Sequence, residues 1–155
     1  MKKSVILLFA LILTLGLIGC SKKSEVKDIP VSDIKSAINT ESLLPIQPIA
    51  DIDAKEFHAF EKVKDKIKEG FVIQALINVK LQDVFVVKTD DVDSVKKAIE
   101  DYKSNSLKLF GDGYGGEENV DAVNNSILES KGNYVYFIAT KNAKDIESKI
   151  LEIIE

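Results

Sequence analysis

Cys20 is the only thiol in a chain of 155 residues and His58 the only imidazole, so neither has a second residue of its kind to work with. A zinc site needs three or four ligands of nitrogen or sulfur type. His58, with Glu61 about one turn and Asp65 about two turns along, is expected at the surface or its boundary rather than as a ligand or the base of a triad. The 25 carboxylates show no spacing that sorts out a pair for glycoside chemistry. Gly111, Gly113 and Gly116 in GDGYGG satisfy G-x-G-x-x-G. A dinucleotide site places that motif directly after a parallel strand and at a helix N-terminus. Here polar residues 103–106 precede it, and Asp112 and Glu117 would repel phosphate. Asp112, Glu117, Glu118 and Asp121 form a weak calcium candidate, with clustered oxygens but not the spacing of an EF-hand. An ordinary solvated loop is the expectation, and no metal site is assigned. Tyr114, held between glycines, is a candidate contact for a partner. No residue is assigned to catalysis and no cofactor is expected.

Cys20 takes its meaning from what precedes it. Met1-Lys2-Lys3 is basic, and residues 5–17 are apolar apart from Thr14 and Gly16. A spanning helix needs about 20 apolar residues, and Lys22 and Lys23 end this run early. The pattern is that of a signal peptide. Its end, Leu17-Ile18-Gly19-Cys20, resembles the lipobox of bacterial lipoproteins, in which the cysteine thiol takes a diacylglycerol before cleavage. Acyl chains such as palmitate then hold the protein on the outer face of the cell membrane, and two or more anchor far more firmly than one. The expected layout is a signal peptide over 1–19, a lipidated tether over 20–30 and one α+β domain over 31–155. Ten tether residues reach at most about 35 Å. With its thiol consumed, the domain has no disulfide, no cysteine nucleophile and no thiolate metal site.

Charge narrows the partners. Without the leader, 19 lysines face 25 acidic groups, and there is no arginine. Nucleic acid is excluded as a partner, because phosphate contact needs a concentrated basic face.

Periodicity predicts the elements that would position these groups. Residues 31–40 suggest a short helix capped by Ser32. Pro45 and Pro48 enforce an extended link. Asp53 reads as the N-cap of a helix with an apolar stripe at Phe57, Phe60, Val63 and Ile67, ended by Gly70. Residues 71–79 and 84–88 read as one hairpin, and residues 127–131 and 134–140, joined by Gly132-Asn133, as another. Asp90 or Asp91 caps a helix bearing Val92, Val95, Ile99 and Tyr102, and a short helical piece spans 118–125. Asn142 caps the last helix, whose apolar face carries Ala143, Ile146, Ile150 and Ile153 or Ile154. In the strand 134–140, Tyr134 and Tyr136 alternate with Val135 and Phe137, so one pair is expected on the core and the other toward solvent. The class is α+β, a small and largely antiparallel sheet built from two hairpins with helices packed on one face.

INVKLQDVFVVK (77–88), the helix after it and KGNYVYFIATKNAKDIE (131–147) resemble bacterial lipoproteins carrying domain of unknown function 4358. The resemblance implies an anchored extracytoplasmic domain and supplies no catalytic residue. The expected role is therefore non-enzymatic: an anchored domain binding an envelope protein or surface component. The alternatives are a small-ligand or metal-ion binding lipoprotein and an envelope hydrolase working through paired carboxylates.

Overall fold

The computed structural model describes residues 26–155. The leader, Cys20 and the first part of the expected tether lie outside them. The chain runs α1 (Val31–Ile38), β1 (Ile49–Asp53), three single 3₁₀ turns (Ala54–Glu56, His58–Phe60, Lys64–Lys66), β2 (Ile67–Ala75) and β3 (Asp83–Thr89). It continues through α2 (Val92–Ser106), α3 (Lys108–Gly111), α4 (Glu117–Asn124), β4 (Ile127–Lys131), β5 (Tyr134–Ala139) and α5 (Ala143–Ile154). The five strands form one antiparallel sheet in the order β1-β2-β3-β5-β4. The two predicted hairpins are β2–β3 and β4–β5, and the class is α+β.

Helices cover both faces of the sheet, not one. Phe85, Val87, Val135 and Phe137 face α2, α4 and the 3₁₀ turns, with Val95, Ile99 and Tyr102 above them. Val84, Val86, Tyr134, Tyr136 and Ile138 face α1 and α5, against Ile34, Ile38, Ile146, Ile150 and Ile154. Every residue of β3 and β5 is therefore buried, so neither pair of β5 faces solvent: Val135 and Phe137 pack in the first core and Tyr134 and Tyr136 in the second. Two-sided burial calls for unbroken apolar runs rather than alternation, which is what VFVV and YVYFIA are. A bulge between Ile67 and Glu69 shifts the register of β2, so that Ile67 and Val72 reach the same core.

The helix expected from Asp53 does not form. Asp53 does cap, accepting from the Lys55 amide at 2.8 Å, but it caps a single 3₁₀ turn. Phe57 then returns to extended backbone, at φ −77° and ψ 128°. The succession of turns still delivers Phe57 and Phe60 to the core, while Ile67 and Gly70 belong to β2. Gly70 is required by crowding rather than by a cap. A Cβ there would lie 2.8 Å from the Ala54 Cβ and 2.9 Å from the Val86 carbonyl oxygen. Residues 49–53, which pair along β2, form a fifth strand where only an extended link was expected.

The other caps divide. Asp91 caps α2 through the Ser94 amide at 3.1 Å. Ser32 lies inside α1, whose first amide, at Val31, donates to Glu69 Oε2 at 3.3 Å. Asn142 precedes α5 but spends its side-chain amide on the carbonyls of Ser42 and Leu43, at 3.1 and 3.0 Å. Among the described residues no helix is long and apolar enough to cross a membrane.

Candidate functional site: two poles of the sheet

β3 connects two chemically different ends. Lys88 and Asp83 are five residues apart along it, about 17 Å at strand rise, and the parity of the strand puts them on opposite faces.

At the Lys88 end, the chain arriving from the N-terminus is strapped down. The Lys27 amide donates to the Ile154 carbonyl at 2.7 Å. Tyr134 is fully buried, and its hydroxyl accepts from the Ile29 amide at 2.6 Å and lies 2.6 Å from the Ile29 carbonyl oxygen, to which it donates. The Lys88 ammonium, almost wholly buried, pairs with Asp28 and with Glu69 at 3.0 Å and stands 5.4 Å over the Tyr134 ring. Burial works against the charge of Lys88, but the hydrogen bonds it donates to Asp28 and Glu69 carry its pKa upward overall. Lys27, Asp28 and Ile29, expected to form part of a free tether, thus belong to the folded body. A hollow of about 520 Å³ lies beside this strap, but the charges that line it already have partners, Lys88 with Asp28 and Glu69, and Lys68 with Asp90 outside the hollow.

At the Asp83 end the polar groups converge under an apolar rim. Asp83 is 4% exposed. Its Oδ2 accepts from the Tyr102 hydroxyl at 2.6 Å, and its Oδ1 from Gln74 Nε2 at 3.1 Å. Gln74 Nε2 also donates to the Tyr102 oxygen at 2.9 Å, which closes a triangle. Burial raises the Asp83 carboxyl from 3.8 to about 6, against the pull of both hydrogen bonds. Burial, and then the carboxylate beside it, keep the Tyr102 phenol protonated far above its usual range. Tyr102 arrives on the inner face of α2, and Gln74 pairs with Asp83 in register between β2 and β3.

A stability profile follows from this carboxyl. The folded state holds the Asp83 proton more tightly than the unfolded chain, so it binds more protons between about pH 4 and pH 6. Stability therefore falls as pH rises through that window and levels off above it. The shift from 3.8 to about 6 is worth about 3 kcal/mol. Asp83→Asn has no such slope. Its unfolding free energy relative to the native protein should shift in its favour by about 2 kcal/mol between pH 4 and pH 7, measured by urea denaturation at each pH. Parallel curves would mean that Asp83 ionises as it does in water.

The rim is the loop joining β2 to β3. Residues 71–79 were expected as one strand, but β2 ends at Ala75, leaving Leu76 (57% exposed), Ile77 (39%) and Val79 (45%) as an apolar edge. Asn119 of α4, itself buried, holds this loop to the glycine loop. Its Oδ1 accepts from the Leu81 amide at 3.0 Å, and its Nδ2 donates to the carbonyls of Val79 at 3.0 Å and Tyr114 at 2.8 Å. The contact explains one glycine of GDGYGG. Gly115 has φ +79°, and a Cβ on it would lie 2.1 Å from Asn119 Nδ2 and 2.2 Å from the Val79 oxygen. The motif joins two helices, α3 and α4, and follows no strand, so it lacks the setting a dinucleotide needs.

The remaining candidates separate. Tyr114 is 41% exposed, with its ring 5.7 Å from that of Phe110. Asp112 pairs with Lys108 and Glu118 with Lys80. Among the described residues no three acidic, histidine or cysteine side chains gather to hold a metal ion, so Asp112, Glu117, Glu118 and Asp121 are not brought together. His58 is exposed and lies against Phe57, ring centroids 4.4 Å apart, at the edge of a groove between the 3₁₀ turns and α2. Asp83, Gln74 and the strap residues were not foreseen. One available signal for Asp83 was its place directly before an unbroken apolar run.

Residues 44–140 match the family described as Domain of unknown function (DUF4358), and the chain belongs to that family. No curated protein and no solved structure matches it. The matched span includes β1 to β5, Asp83, Tyr102 and the glycine loop.

Proposed function

We propose that this family member is a lipid-anchored extracytoplasmic binding or accessory protein, held to the membrane through Cys20 and presenting the Asp83 pole away from it. The observation that carries the proposal is the strap. Tyr134 and Lys88 hold residues 27–29 at the end of the sheet remote from Asp83. Cys20 is only seven residues before Lys27, a reach of at most about 25 Å. Lipid on Cys20 therefore sets the Lys88 pole toward the bilayer and leaves Leu76, Ile77, Val79 and Tyr114 free for an envelope protein or surface component. The sequence of the leader supports the anchor, and the exposed rim supports a contact role.

Photo-crosslinking in intact cells tests the orientation. A photoreactive side chain at Lys68, exposed at the strap pole, should label lipid. The same group at Ile77 should give a discrete protein adduct that disappears when Leu76 and Val79 are changed to serine. Lipid labelling of equal strength from both positions, or protein adducts from Lys68 alone, would overturn the assignment of the poles.

A further inference from the structure

We propose that the cavity over Asp83 is a binding site for a small ligand bearing a primary ammonium group on an apolar body. The assignment rests on the Asp83 pole as the binding end but is independent of the anchor at the other.

The cavity is about 330 Å³ and open to solvent, within the range of small-ligand sites. Its floor is the Asp83–Tyr102–Gln74 triangle, and its walls include Leu81, Leu107, Phe110 and Ile77. More than half of the lining is polar, Asn78 and Ser106 included, so polar groups would orient a ligand while the apolar side chains beside them supply contact area for its body. The charge on the floor has no match. Among the described residues no lysine stands within ion-pair distance of Asp83. The cavity's own cation, Lys80, reaches outward to Glu118 at 3.3 Å. A buried carboxylate without a counter-charge is costly to keep ionised. Two neutral donors, the Tyr102 hydroxyl and the Gln74 amide, stabilise it only in part. Each Asp83 oxygen accepts one of these bonds, and a carboxylate has about four acceptor positions. An ammonium group seated here would supply the missing charge and charge-assisted hydrogen bonds. A quaternary ammonium has no N–H to donate, and an alcohol carries no charge, so neither satisfies the floor.

The intact protein in nonionic detergent at pH 8, with Asp83 ionised, is titrated with n-butylammonium and with phenethylammonium. Butanol and tetraethylammonium serve as controls. Both primary amines should raise the melting temperature and move the ¹³C carboxyl resonance of Asp83, and the controls should do neither. Asp83→Asn should weaken amine binding about tenfold or more, as expected for loss of one charge-assisted hydrogen bond. Lys80→Gln, which leaves the floor intact, should bind at least as well as the native protein. An Asp83 resonance unmoved by either amine would overturn the proposal, as would equal binding by Asp83→Asn. The poles could still stand as assigned by crosslinking, so the two failures are distinguishable.

Discussion

Phe85→Ala should destabilise the protein by about 3–5 kcal/mol, the range for removing a fully buried phenylalanine. Phe85 lies at the centre of the face covered by α2. Its ring stands 5.1 Å from Phe57, 6.0 Å from Phe60, 5.1 Å from Tyr102 and 5.3 Å from Phe137. These tilted and edge-on pairs add to the burial, each by about 0.5–1.5 kcal/mol. The sheet limits collapse into the space left behind, because β3 is held by β2 on one side and β5 on the other. Against a typical total of about 5–15 kcal/mol, the loss approaches half of the stability. Urea denaturation measures it directly, with Phe85→Leu as a control that keeps most of the volume and should lose much less. The change also reaches the Asp83 pole: with the ring that supports Tyr102 gone, the Asp83 carboxyl should titrate closer to its ordinary range. A loss under 1 kcal/mol would mean that this core is not the principal one.

The parts of the fold legible in the sequence are those whose signals are local. Asp91 sits directly before its helix and caps it, Gly132-Asn133 turns a hairpin, and Ala143, Ile146, Ile150 and Ile154 repeat at helical spacing along α5. The stretch 54–66 misleads because its apolar spacing is satisfied equally by a helix and by successive 3₁₀ turns. The choice is made by β2, which takes Ile67 onward into pairing with β3. β1 is hidden by its own acids, Asp51 and Asp53, which an edge strand tolerates. The number of covered faces is a tertiary property, although the unbroken runs of β3 and β5 carried a hint of it.

The two poles were much less visible. Asp83 looks like the last residue of a polar turn, and nothing near it in sequence announces Tyr102 nineteen residues on. The strap depends on contacts across more than a hundred residues, from Ile29 to Tyr134. Lys27 and Asp28, polar and next to other charges, look like free tether until the fold supplies Ile154 and Lys88 as partners. The glycine loop was legible as a loop. The need for glycine at position 115 became visible only once Asn119 and Val79 were beside it.

The largest effect of all is expected at Cys20, and it is all-or-none. The proposed orientation requires a covalent hold within seven residues of the strap, and Cys20 is the only residue in the chain with a thiol to accept a lipid. Two acyl chains give attachment that washing does not reverse, whereas an unlipidated acidic protein has little to bind an anionic bilayer. Cys20→Ser should therefore leave the fold intact, since the strap begins at Lys27, while abolishing both palmitate incorporation and membrane retention. The most direct measurement is the mass of the N-terminal peptide from protein extracted from its own cells. The proposed architecture predicts a peptide that begins at Cys20 and carries diacylglycerol on its sulfur. A peptide that begins elsewhere, or a Cys20 with a free thiol on protein still bound to the membrane, would contradict it.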